Sequence, residues 1–122
     1  MKTSLLAACA TAAALLATPL MASDDDNVVK VSLKEWDLGF KAVKIDGDEA
    51  VFEVVNDGQM THAFELEGKI GGHKIEFRTG DLKPGERTRF KVELPAGAYE
   101  VYCPIDGHEE NGMKGTITFA EE

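Results

Sequence analysis

Sulfur, imidazole and positive charge are all scarce in this chain: 122 residues hold 2 cysteines, 3 histidines and 13 lysines and arginines against 22 acidic residues. Each shortage closes off a class of function. A formal charge of −9 repels nucleic acid and anionic lipid. Crossing a bilayer takes roughly 20 apolar residues, and nothing beyond the N-terminus comes near that. No run carries the 3.6-residue period of an amphipathic helix. A nucleophile triad, a phosphate loop and a paired acid/base constellation are all missing, so hydrolytic chemistry has no support.

The first residues do hold an apolar run, and it is read as a leader. Lys2 gives a positive start, Leu5 to Leu16 are rich in Leu and Ala, and Pro19 to Ala22 form a small-residue exit before Ser23-Asp24-Asp25-Asp26. The expected organisation is a signal peptide over 1–22 and one domain over 23–122. That domain has 100 residues (122 − 22), the usual size for a single core. Loss of Lys2 takes the formal charge to −10 (12 − 22), and the expected location is the periplasm. Leu6-Ala7-Ala8-Cys9 has the form of a lipoprotein cleavage box, but cutting there leaves almost no apolar segment, which argues against a lipid anchor at Cys9.

Cys103 is then alone, and no disulfide can form within the exported chain. A lone thiol in an oxidising compartment needs shielding, either as an inert buried side chain or by coordination to a metal.

The rest of the chain alternates in short segments. Val29, Val31 and Leu33 are separated by polar residues, as are Val43 and Ile45, Phe52 and Val54, Phe64 and Leu66, and Ile75 and Phe77. Phe90, Val92 and Leu94 follow the same rule, as do Tyr99, Val101 and Cys103, then Ile117 and Phe119. Turn residues stand between them at Asp46-Gly47-Asp48, Asn56-Asp57-Gly58, Gly71-Gly72, Lys83-Pro84-Gly85-Glu86 and Pro95-Ala96-Gly97. This pattern predicts an all-β chain of about eight strands, an antiparallel Greek-key sandwich of two packed sheets with loops at its ends.

One loop concentrates the chemistry. Cys103 ends a strand, Pro104 stops further pairing, and His108 and Met113 follow at five-residue intervals. Asp106 and Gly107 let the loop curl, and Gly112 lets backbone approach closely. Upstream, His62 opens the Ala63-Phe64-Glu65-Leu66 segment. A thiolate, two imidazoles and a weak thioether suit a metal cycling between Cu(I) and Cu(II). Structural zinc prefers four firm ligands, which Met113 does not supply.

Asn56-x-Gly58-x-x-x-His62-x-Phe64, Leu82-x-Pro84-Gly85-Glu86 and Gly97-x-Tyr99-x-x-x-Cys103-x(4)-His108-x(4)-Met113-x-Gly115 resemble the motifs of the cupredoxins, the type 1 blue copper proteins of the plastocyanin, azurin and rusticyanin group. The resemblance runs along nearly the whole of 23–122, and the Cys-to-Met spacing is nearer the rusticyanin type than the shorter plastocyanin loop. It implies a cupredoxin-like sandwich of eight strands, one type 1 copper ion held by His62, Cys103, His108 and Met113, and electron transfer with no substrate turned over.

The residues bordering those donors are expected to be Thr61, Ala63 and Ile105. Many members carry Asn where this chain has Ala63, and losing that side chain removes a tie between the ligand loops. The N–H groups of Ala63 and Ile105 are both available to the thiolate, which favours Cu(I). His108, between Gly107 and Glu109, is expected to show its outer edge to solvent, with Glu109 and Glu110 beside it as a docking rim. Met60 is expected to pack over the copper loop or line an apolar collar, Trp36 to fill the core and His73 to be a solvated turn residue.

The leading reading is thus an exported, monomeric one-electron shuttle and not an enzyme. Its partner would be a redox protein such as a c-type cytochrome or a copper/haem oxidoreductase. The alternative is a periplasmic copper carrier or chaperone delivering copper to a cuproenzyme. A multicopper enzyme is disfavoured by counting, since only His73 is left to build a second centre.

Overall fold

The computed structural model describes residues 27–121; the leader over 1–22, Cys9 and the Asp24–Asp26 run lie outside them. Eight strands form where the apolar alternation placed them. They are β1 (Val28–Leu33), β2 (Ala42–Asp46), β3 (Glu49–Asn56), β4 (Glu65–Ile70), β5 (His73–Arg78), β6 (Arg87–Glu93), β7 (Gly97–Tyr102) and β8 (Lys114–Ala120). One sheet has the order β1-β3-β6 and the other β2-β8-β7-β4-β5, so the chain is the expected all-β sandwich.

The strand directions correct the antiparallel expectation. β1 pairs with β3 in parallel, and so does β2 with β8, while the remaining pairs are antiparallel. Alternation fixes which face of a strand is buried, but not which strand lies beside it or in what direction.

Between the sheets the core is built from aromatic and branched side chains. Phe52, Phe64, Tyr99, Phe119, Leu33, Leu66 and Ile117 are fully buried, each contributing about 1.5–3 kcal/mol of transfer free energy. Phe52 of β3 meets Phe64, the residue ahead of β4, at a ring distance of 5.6 Å. Phe90 of β6 meets Phe77 of β5 at 4.5 Å. These contacts join one sheet to the other. Gly68 leaves room for the Tyr99 ring, since a Cβ there would stand 2.5 Å from Cδ2, and the Tyr99 hydroxyl donates to the Pro95 carbonyl at 2.7 Å.

Trp36 does not join this core. It is 38 % exposed, on the irregular segment between β1 and β2. Among the described residues no helix is long and apolar enough to cross a membrane.

Candidate metal centre

The sheets end where Asn56, Tyr102 and Lys114 leave their ladders, and the chain beyond must satisfy its backbone by other means. Asn56 does much of this. Its buried amide donates to the carbonyls of Met60 and Leu82, both at 2.8 Å, and accepts from the Gly58 N–H at 2.8 Å. Its backbone pairs with Glu86 and Gly85, so the Pro84-Gly85-Glu86 turn closes onto the end of β3. Leu82 in turn exchanges two backbone bonds with His62, at 3.0 and 2.8 Å. The two upstream motifs are therefore the two halves of one clamp around His62.

The downstream loop is fixed just as closely. Tyr102 and Lys114 pair at its base, and Cys103 N–H donates to the Met113 carbonyl at 3.1 Å. Inside it the N–H of His108 reaches the Ile105 carbonyl at 3.0 Å, and Met113 N–H reaches that of His108 at 3.2 Å. Asn111 donates its side-chain amide to the Gly107 carbonyl at 2.9 Å.

These scaffolds bring His62, Cys103 and His108 together, with the buried Met113 bonded to Cys103 and His108 through its backbone. His62, Cys103 and Met113 are 0 % exposed and His108 is 3 % exposed. Cys103 Sγ lies 3.8 Å from His62 Nδ1 and 3.5 Å from His108 Nδ1. The two Nδ1 atoms face each other at 3.1 Å, and one donor atom from each of the three residues lies within 4.8 Å of the others. Burial pushes the Cys103 thiol up, partly offset by the N–H groups of Ala63 and Ile105; the Ala63 contact is 3.5 Å. Burial, then the neighbouring His62, lowers the pKa of His108, which favours the neutral imidazole that a metal requires.

Two soft or borderline donor types converging in a buried pocket fit copper by the chemistry of the set. A cupredoxin-like domain model matches residues 5–119 of the sequence. The chain belongs to the cupredoxin-like family. Copper is the cofactor of this cupredoxin, and the His62, Cys103 and His108 cluster has the type 1 pattern. No curated protein matches the sequence. The fold is similar to that of reduced auracyanin from Roseiflexus castenholzii, at 16 % identity and a TM-score of 0.68, covering 78 % of this chain and 98 % of that one. It is also similar to auracyanin B, at 18 % identity and a TM-score of 0.65, covering 77 % and 88 %. A multicopper oxidase from Campylobacter jejuni shares the fold at 17 % identity and a TM-score of 0.59, with 80 % of this chain covering 30 % of that one.

The surroundings differ from expectation at some positions and agree with it at others, such as the exposed His73 and Glu110. His108 is nearly covered, at 3 % exposed, and Trp36 packs beside it, with ring centroids 5.0 Å apart at 73°. Met60 is 44 % exposed and so outside the core, and its backbone bonds Asn56 and Glu35. Thr61 is exposed and is not part of the buried cluster. Glu109 is half-buried, Glu110 is exposed on the loop, and His73 is exposed at the start of β5. One residue after Ala63, Phe64 N–H donates to Thr79 Oγ1 at 3.0 Å, which ties the His62 loop to the segment after β5.

Sequence reading missed one residue altogether. Glu35 places Oε2 2.7 Å from His62 Nε2. The Gln59 N–H, above all, holds its carboxyl down to about 2. Glu35 sits in an irregular segment with no spacing to announce it, and only the fold brings it there.

Replacing Asn56 by Ala tests the clamp. Roughly 1–3 kcal/mol for each buried partner left unpaired gives an expected loss of about 2–4 kcal/mol, read by urea unfolding of the metal-free protein. A loss within the roughly 0.5 kcal/mol of an ordinary surface change would contradict the role given to Asn56.

Proposed function

We propose that this cupredoxin is an exported one-electron carrier whose copper is held by His62, Cys103 and His108, with Met113 as a weak axial ligand. The observation that carries the reading is the convergence of one thiol and two Nδ1 atoms inside a fully buried cluster. When bound, copper supplies one-electron cycling between Cu(I) and Cu(II).

The chain's own residues do the rest. The Asn56 and Leu82 clamp and the bonded 103–113 loop hold the donors in place, so little of the polypeptide has to rearrange between oxidation states. Burial of every donor keeps water out and favours retention of the ion over hand-over to another protein, which supports the carrier over the chaperone. The remaining histidine, His73, is exposed at the start of β5 and belongs to none of the donor groups among the described residues, which supports a carrier over a multicopper enzyme. Export rests on the Lys2 to Ala22 leader pattern.

The contact with a partner centres on Trp36, the exposed aromatic surface beside His108. Glu109 and Glu110 lie on the same loop as His108, within a strongly acidic chain. This arrangement suits a redox protein, such as a c-type cytochrome, with basic residues around its redox centre. Encounters of that kind are small and salt-sensitive. The association rate is expected to fall as ionic strength rises, and a rate indifferent to salt would rule this docking out.

Addition of one equivalent of Cu(II) is expected to give an intense thiolate-to-copper band and narrow copper hyperfine splitting, both lost in Cys103→Ala. The wild type should also survive repeated reduction and oxidation without losing its ion. A pale, ordinary Cu(II) spectrum, or binding of Cu(I) alone, would overturn the carrier and favour copper delivery.

A further inference from the structure

Glu35 is built into the metal end more firmly than an exposed acid would be. Its Oε2 reaches His62 Nε2 at 2.7 Å and accepts from Met60 N–H at 3.0 Å, and both of its oxygens lie 3.1 Å from Gln59 N–H. The side chain is 21 % exposed against a His62 that is fully covered. Gly58 makes the space: a Cβ there would stand 2.5 Å from Glu35 Oε2 and 3.0 Å from His62 Nε2. One loop, from Gly58 to His62, therefore closes around a carboxylate carried by a segment distant in sequence, and among the described residues the side chain it hydrogen-bonds is that of His62.

We propose that Glu35 is a positioning residue that fixes the tautomer of His62 and biases the centre toward Cu(II). This rests on the reading that His62 is a copper ligand. An ionised carboxylate offers only acceptors, so the proton of the 2.7 Å contact belongs to Nε2. That leaves Nδ1, the nitrogen facing Cys103 Sγ, with its lone pair free. A negative charge one imidazole away from the metal increases the basicity of the ring and stabilises the more highly charged oxidation state. On the opposite side the Ala63 and Ile105 N–H groups act on the sulfur and favour Cu(I). The chain thus places opposed influences on two different donors, and the sequence motifs reveal only the second of them.

Glu35→Gln removes the charge while keeping the length and one oxygen acceptor. The expected result is a retained thiolate-to-copper band with the ratio of Cu(II) to Cu(I) affinity reduced about tenfold, which for one electron raises the reduction potential by about 59 mV. A change of less than about twofold, or a fall in potential, overturns the proposal. Should the variant fail to fold, ¹⁵N NMR of the reduced wild-type protein decides. A slowly exchanging proton on His62 Nε2 supports the assignment, and a proton on Nδ1 overturns it. Absence of the thiolate-to-copper band in the wild type itself would instead sink the ligand reading, and this inference with it.

Discussion

The placement of His62 at the metal end depends on one buried amide, that of Asn56. A sandwich satisfies its backbone within the sheets, but at the sheet ends those partners run out and the loops must hold one another. Asn56 reaches two of them at once, bonding Gly58 and Met60 on one and Leu82 on the other. Leu82 then fixes the backbone of His62. The position of an imidazole nitrogen is in this way inherited from the end of β3, the strand that also carries Phe52 into the core. Packing energy and donor geometry are coupled through that single side chain.

The centre is also a balance of costs. Burying a thiol disfavours its ionised form, and the Ala63 and Ile105 N–H groups only partly offset this. Burial likewise lowers the pKa of His108 and favours its neutral form. Trp36 packs beside His108 and is itself 38 % exposed, so an aromatic surface adjoins the imidazole at this end of the sandwich.

Much of this was legible in the sequence, for reasons that also explain what was not. The eight strands follow from period-two alternation, which depends on neighbours two residues apart. The donor loop follows from the spacing of Cys103, His108 and Met113, because ligands on one short loop cannot be far apart. Parallel pairing of β1 with β3 and of β2 with β8 has no such local signature. Trp36 and Glu35 belong to a segment without alternation, and their positions are set by loops closing from elsewhere in the chain. An apolar Trp is expected in a core, yet here its ring finds an edge contact with His108 at the surface. Ala63 suggested a looser site, but Thr79 and Glu35 supply ties that no motif predicts.

The central claim is that the polypeptide holds the donors in place before and after each change of oxidation state. Crystal structures of the metal-free, Cu(I) and Cu(II) forms test it most directly. The account predicts that the side chains of His62, Cys103, His108 and Met113 superpose within about 0.5 Å across all three. Displacements beyond about 2 Å, or a 104–112 loop that refolds between forms, would contradict it.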